Sequence, residues 1–177
     1  KARLITTSAI DEHTFHSSLD PEEVGRIEFE DNHLAAIIKK PKKYNSEDNF
    51  IFKISSVGLF LFTDKLIVVS GEDDLTWEGR LFSRLHSVRD IFMQVIFHYV
   101  VHFEEHLKVI RRISEELERE INVAVSNKDL VHMFNLSKGL VYYLDAISSN
   151  NKVIERLKIN SVKLNFDQNV SDLLDDL

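Results

Sequence analysis

Three histidines recur at four-residue intervals in HYVVHFEEH, at His98, His102 and His106, with Glu104 and Glu105 before the last. Residues four apart lie on one side of a helix, and imidazoles so placed build many zinc sites. At 100° per residue, however, the three drift from the flank of a helix into its apolar seam. They also span about 12 Å of rise, too far for one ion with Zn–N bonds of about 2 Å. At most one adjacent pair could chelate a metal. The zinc-protease signature fails, because Phe103 rather than Glu follows His102. The stripe reads first as partly buried polar positions in a helix pair. Its alternative is a metal-dependent hydrolase using His102 and His106.

Carboxylates supply the other candidate chemistry. Asp20, Glu22 and Glu23 surround one turn, Glu72, Asp73 and Asp74 another, and Asp172, Asp175 and Asp176 share the C-terminal stretch. Each cluster alone is ordinarily a solvated face or a helix-end charge. Mg²⁺ takes one or two carboxylates and several waters, so its sites leave almost no signature in a sequence. His13 and His16 read as surface residues and Trp77 as a packing anchor. No G-x-S-x-G elbow supports a serine nucleophile, and the five glycines form no phosphate-cradling loop. There is no cysteine, which excludes disulfides, thiolate metal sites and cysteine nucleophiles. A net charge of −7 argues against binding nucleic acid or anionic lipid and leaves open an acidic surface that attracts cations.

The elements that must position these groups are legible from periodicity. The 177 residues suffice for one sizeable core. ARLITT reads as an opening strand, and the stretch before Asp20-Pro21 can hold a short helix. RIEFE and LAAIIKK flank DNH as a hairpin ending at Pro41. NFIFKIS, VGLFLFT and KLIVVS follow, for a sheet of about five or six strands. Val88, Phe92, Val95, Tyr99, Phe103, Ile110, Ile113, Leu117, Ile121 and Ala124 then form a 3-4 stripe, the seam of a single long helix. Ser126-Asn127-Lys128-Asp129 breaks it, and Asp129 is placed to cap a second long helix. That helix is expected to pack through Leu130, Phe134, Leu140, Leu144, Ile147, Ile154 and Leu157. Two long helices joined by a few residues must be antiparallel. Val170, Leu173, Leu174 and Leu177 open a third amphipathic helix with the three aspartates opposite. The chain starts at Lys1 and stops within that pattern, so a longer parent protein is expected. No apolar run of about 18 residues occurs.

The fold class is therefore α+β: a mixed β-sheet with flanking helices, a long antiparallel helical hairpin, and the start of a stalk helix. The division expected is 1–76 for the sheet part, 77–160 for the hairpin and 161–177 for the stalk start.

LDPEEVGRIEFEDNHLAAIIKKPK, the strands after it, DDLTWEGRLFSRL, the helix carrying HFEEHLKVIRRISEELEREI, a second long helix and a third near Val170 together resemble the cytoplasmic part of the CorA-type magnesium transporters. The resemblance covers essentially the whole chain in element order. The family's Gly-Met-Asn signature, at the end of its first membrane helix, does not occur in this sequence. What the resemblance implies is a homopentameric divalent-cation channel rather than an enzyme. The parent would sit in the cell's inner or plasma membrane through C-terminal helices, with this part on the cytoplasmic side. Mg²⁺ bound between neighbouring subunits would hold the pore closed, with Co²⁺, Ni²⁺ or Zn²⁺ as other possible ions. Asp175 falls at the position of one ligand, with Asp172 and Asp176 beside it, and Asp20, Glu22 and Glu23 offer the partner. The family often has acidic residues where this chain has His98 and His102. Imidazole there would favour softer ions, so a zinc transporter of the same superfamily is an alternative. A helical scaffold without a metal role is another.

Overall fold

The structure, a computed structural model, describes residues 8–44, 50–72, 75, 86–123 and 126–177. A short helix α1 (Glu12–Ser17) leads into strands β1 (Arg26–Phe29), β2 (Leu34–Pro41), β3 (Ile54–Leu61) and β4 (Leu66–Ser70). Helices α2 (Val88–Val123), α3 (Asn127–Ile159) and α4 (Gln168–Asp175) follow among the described residues. The strands form an antiparallel meander in the order β1-β2-β3-β4. Arg26 pairs with Ile37 across the expected hairpin, and Pro41, which has no N–H to donate, ends β2 opposite Ile54.

Both faces of the sheet are covered, so β2 is buried along its whole length. Alternation sends Leu34, Ala36 and Ile38 of β2 and Val57, Leu59 and Leu61 of β3 toward the long helices. There they meet Phe92, Val95 and Tyr99 of α2 and Val153, Ile154 and Leu157 of α3. Ala35, Phe60 and Val69 face the other way, against Ile10 and Phe15 around α1. A second cluster joins Phe103, Ile110, Ile113 and Leu117 of α2 to Leu136, Tyr143 and Ala146 of α3. Early α2 residues thus share a cluster with late α3 residues, and late α2 residues with early α3 residues. The hairpin is antiparallel, as its short connection requires.

Helix ends are built by side chains. Ser87 and Asp90 open α2 reciprocally: Asp90 Oδ2 accepts from the N–H groups of His86 and Ser87, each at 2.8 Å, and Ser87 Oγ accepts from Asp90 N–H at 3.1 Å. At α3 the cap is Ser126 rather than Asp129. Asp129 is the third residue of a capping box and accepts from Ser126. Asp167 caps α4 through Val170 N–H at 2.9 Å.

Three further sequence expectations are corrected. Four strands, not five or six, occur among the described residues; ARLITT, Trp77, Asp73 and Asp74 lie outside them. NFIFKIS and VGLFLFT are not two strands. Pairing runs unbroken from Ile54 to Leu61, whereas Phe50 takes a positive φ of 62° that no strand allows. The third correction is the phase of α3. Leu130, Phe134 and Leu144, expected to pack, are 51%, 68% and 65% exposed. The buried face carries Leu136, Gly139, Tyr143, Ala146, Asn150, Val153 and Leu157. Small residues decide this. A Cβ at Gly139 would stand 3.0 Å from Phe52 Cβ, so the close approach of α3 to the β2–β3 connection depends on that glycine.

Candidate metal site

The acidic turn at 20–25 is held from three directions. Asp20 Oδ1 accepts from Glu22 N–H at 2.9 Å, closing a turn of the Asx kind. The Ser56 hydroxyl of β3 donates to the Asp20 carbonyl at 2.5 Å. The Lys39 ammonium of β2 donates to the Pro21 carbonyl at 2.8 Å and to Ser56 Oγ at 2.9 Å. Helix α3 holds the end of the turn. Gly25 N–H donates to Ser149 Oγ at 2.7 Å. Asn150 accepts from Lys39 N–H at 2.7 Å and donates to the Lys39 carbonyl at 2.8 Å. β1 pairs with β2 only as far as Ile37, so Asn150 takes over the sheet's hydrogen bonding where that neighbour stops.

Asn150→Ala leaves both backbone groups of Lys39 without partners in a buried setting. The expected cost is about 2 kcal/mol, read from urea unfolding, together with faster amide exchange at Lys39 and through the turn. Unchanged exchange there would show that Asn150 does not hold the turn.

The turn's three carboxylates are not equivalent. Glu23 pairs with Arg26 at 2.8 Å. A hydrogen bond from the Ser17 hydroxyl, and then the Arg26 charge, hold its carboxyl below the usual glutamate value. Asp20 and Glu22 are exposed, and Asp20 already spends one oxygen on the turn. Glu22 is the carboxylate with the most freedom to meet something outside the chain.

The second acidic group sits on α4. Val170 and Leu174 are buried against the main core, and Asp172, Asp175 and Asp176 lie on the opposite, exposed side. Gln168 Nε2 donates to Asp172 Oδ1 at 2.6 Å. Asp175 is 80% exposed at its side chain and lies 3.5 Å from Lys158 Nζ of α3. Three carboxylates at the C-terminal end of a helix face its negative pole, and Lys158 offsets only part of that charge. A hydrated divalent ion, which keeps most of its waters, suits such an open face.

Among the described residues, no group of three or more His, Asp or Glu is gathered to hold a metal ion. The 20–23 turn and α4 therefore do not bring three such ligands together within one chain. The same holds for the histidine stripe. His102 and His106 rings are 4.6 Å apart between centroids and His98 and His102 rings 6.2 Å. His106 is buried with Nδ1 2.7 Å from the Tyr143 hydroxyl, and Phe52 packs edge-on to both rings. Burial, then the charge of His102, pushes the His106 pKa down to about 4, and burial raises that of Tyr143. His106 is thus a neutral core residue, hydrogen-bonded to a phenol.

Sequence reasoning missed Lys39, Ser56, Ser149 and Asn150, which fix the turn. The one available signal was SSNN in α3, a polar run lying in phase with Tyr143, Ala146 and Val153.

No curated protein matches the sequence. The fold is that of two solved structures from Methanocaldococcus jannaschii. The soluble domain of CorA is 18% identical, with a TM-score of 0.82 over 99% of this chain and 71% of that one. The complete CorA magnesium transporter is 19% identical, with a TM-score of 0.81 over 99% of this chain and 56% of that one. This chain therefore spans little more than half the length of the complete transporter. No described helix is long and apolar enough to cross a membrane. The family described as "CorA-like Mg2+ transporter protein" matches residues 2–177. With that match running through the turn, the sheet, the helical hairpin and α4 alike, the chain belongs to the CorA-like Mg²⁺ transporter family.

Proposed function

We propose that this chain is the cytoplasmic, metal-sensing part of a CorA-type divalent-cation transporter and that it gates a membrane-embedded parent. In this reading Asp175 of one subunit and an acidic residue of the 20–23 turn of its neighbour, Glu22 above all, share a Mg²⁺ ion. Asp172 and Asp176 flank the site and raise the local negative potential. Asp20 shapes the turn, and Glu23 stays with Arg26. The parent is a homopentamer, and Co²⁺ or Ni²⁺ can take the place of Mg²⁺.

The observation that carries the reading is the exposure of Asp175 on an acidic helix face that its own chain neutralises with one lysine at 3.5 Å. A site completed across subunits needs carboxylates that point away from the chain and stay solvated until assembly. Self-association has a surface available as well. Leu130, Phe134, Val141 and Leu144 make an exposed apolar stripe on α3, opposite its buried face, of a kind that monomeric proteins seldom leave uncovered.

The mechanism is linkage. Bare carboxylates of adjoining subunits repel, and a divalent ion shared between them supplies the counter-charge. Because that ion binds only the apposed arrangement, it stabilises closure, and its loss releases the ring.

In the full-length transporter, Asp175→Ala is expected to raise the Mg²⁺ concentration that closes the channel by about tenfold, equivalent to about 1.4 kcal/mol of coupling. Currents recorded against internal Mg²⁺ measure it, with Glu118→Ala on α2 as an exposed-carboxylate control. An Asp175→Ala channel with unaltered Mg²⁺ dependence would sink the assignment.

A further inference from the structure

We infer that the cleft between the 20–25 turn and helix α3 is a binding site for a small phosphate-bearing anion. The cleft has a volume of about 590 Å³, in the range that takes a small molecule. Four lysines line it, Lys39, Lys42, Lys53 and Lys152, in a chain whose net charge is −7. Three carboxylates also reach it, Glu22, Glu23 and Asp145. Internal pairing removes two groups: Glu23 belongs to Arg26 at 2.8 Å and Lys42 to Glu72 at 3.2 Å. Lys39, Lys53 and Lys152 are left facing Glu22 and Asp145.

Lys39 sets the chemistry. Its side chain is buried, and its ammonium donates to a carbonyl and a hydroxyl, both neutral. A cation taken out of water is costly, and desolvation lowers the Lys39 pKa, while the nearby carboxylates of Asp20, Glu22 and Glu23 offset only part of that cost. An anion seated in the cleft adds counter-charge on the side that these carboxylates leave open. Three ammoniums against Glu22 and Asp145 leave the cleft a small positive excess. A polyanion with several oxygens can meet Lys53 and Lys152 at the rim and still present charge toward Lys39, and lysine ammoniums serve phosphate as point charges. Ser148 adds a hydroxyl to the wall and Tyr142 an aromatic flank.

The test titrates the purified protein with inorganic tripolyphosphate by calorimetry, in buffer containing a metal chelator. Saturable one-to-one binding is expected. A Lys53→Ala/Lys152→Ala variant, altered only at exposed positions, should bind at least tenfold more weakly while its thermal midpoint without ligand is unchanged. The control pair Lys108→Ala/Lys163→Ala, also exposed, should bind as the wild type does. Absence of saturable binding up to about 1 mM would overturn the proposal. Equal weakening in both variants would also overturn it, since a general field and not the cleft would then be responsible. Because metal is chelated throughout, the outcome does not depend on the site at Asp175.

Discussion

Gly58→Val is expected to destabilise the protein by about 3 kcal/mol or more. Gly58 lies in the middle of β3, paired with Ile37 on one side and Val69 on the other. Its missing side chain faces α1. A Cβ there would overlap the hydroxyl and the Cβ of Ser18, with Phe60 only 3.0 Å away. Ser18 cannot yield cheaply: it is fully buried, and its hydroxyl donates to the Thr14 carbonyl at 2.9 Å, closing the end of α1. Relief requires α1 to lift from the sheet, exposing Phe15, Ala35 and Phe60. Urea unfolding of Gly58→Val, Ser18→Gly and the pair measures the clash. The pair should be more stable than the two single losses added together. Additive losses would mean that the glycine is required for a different reason.

The second large effect is an acid-sensitive core. Between pH 7 and pH 4.5 the protein is expected to lose about 2–3 kcal/mol through His106. The direction follows from its depressed pKa of about 4, against an ordinary value of 6.5. Below pH 6.5 the unfolded chain takes up a proton that the folded chain refuses. The contribution is therefore whole above pH 6.5, declines as pH falls, and levels off below about pH 4. Glu105 opposes the depression, whereas burial and His102 enforce it. His33, also lowered by burial, adds to the same window. The depressed carboxyls of Asp11, Glu23 and Asp129 act at lower pH, because theirs is stability lost on protonation of the folded state. His106→Asn keeps a hydrogen-bonding group toward Tyr143 and removes the titration. Its stability should change far less between pH 7 and 4.5. Wild type and variant losing stability in parallel would refute the assignment to His106.

Much of the fold follows directly from pattern. The α2 stripe from Phe92 to Leu117 is buried as its period requires, because a 36-residue helix with one apolar seam has one way to pack. The β1–β2 hairpin, with its polar DNH turn and terminal proline, is equally determined. Helix α3 is different, because it is apolar on two sides. The larger side chains, Leu130, Phe134 and Leu144, mark the face that stays open, and the smaller ones mark the face that docks. Hydrophobicity alone ranks these faces in the wrong order. Gly139, Ala146 and Ser149 win because they let the helix come close enough for Tyr143 and Val153 to reach the core.

For the candidate site, the sequence shows which residues carry charge but not which are already satisfied. Glu23 and Glu22 are neighbours of one type, and only the folded path of the turn separates the carboxylate bound to Arg26 from the one left exposed. Lys39 and Lys40 read as a charged strand end, yet both are buried, on opposite faces of β2. Asn150 reads as an exposed polar residue in a helix and instead completes a sheet.

The clasp between Asn150 and Lys39 also makes α3 a lever. From Asn150 to the start of the helix at Asn127 is about 35 Å of rigid rod. A tilt of about 3° about the clasp would sweep that end through about 2 Å, while the turn bonded at Ser149 moves by a small fraction of this. Displacement is magnified in one direction, and force in the other. Because that end is packed against α2 through Leu136 and Leu117, a pull on the hairpin as a unit bears on the turn that carries Glu22.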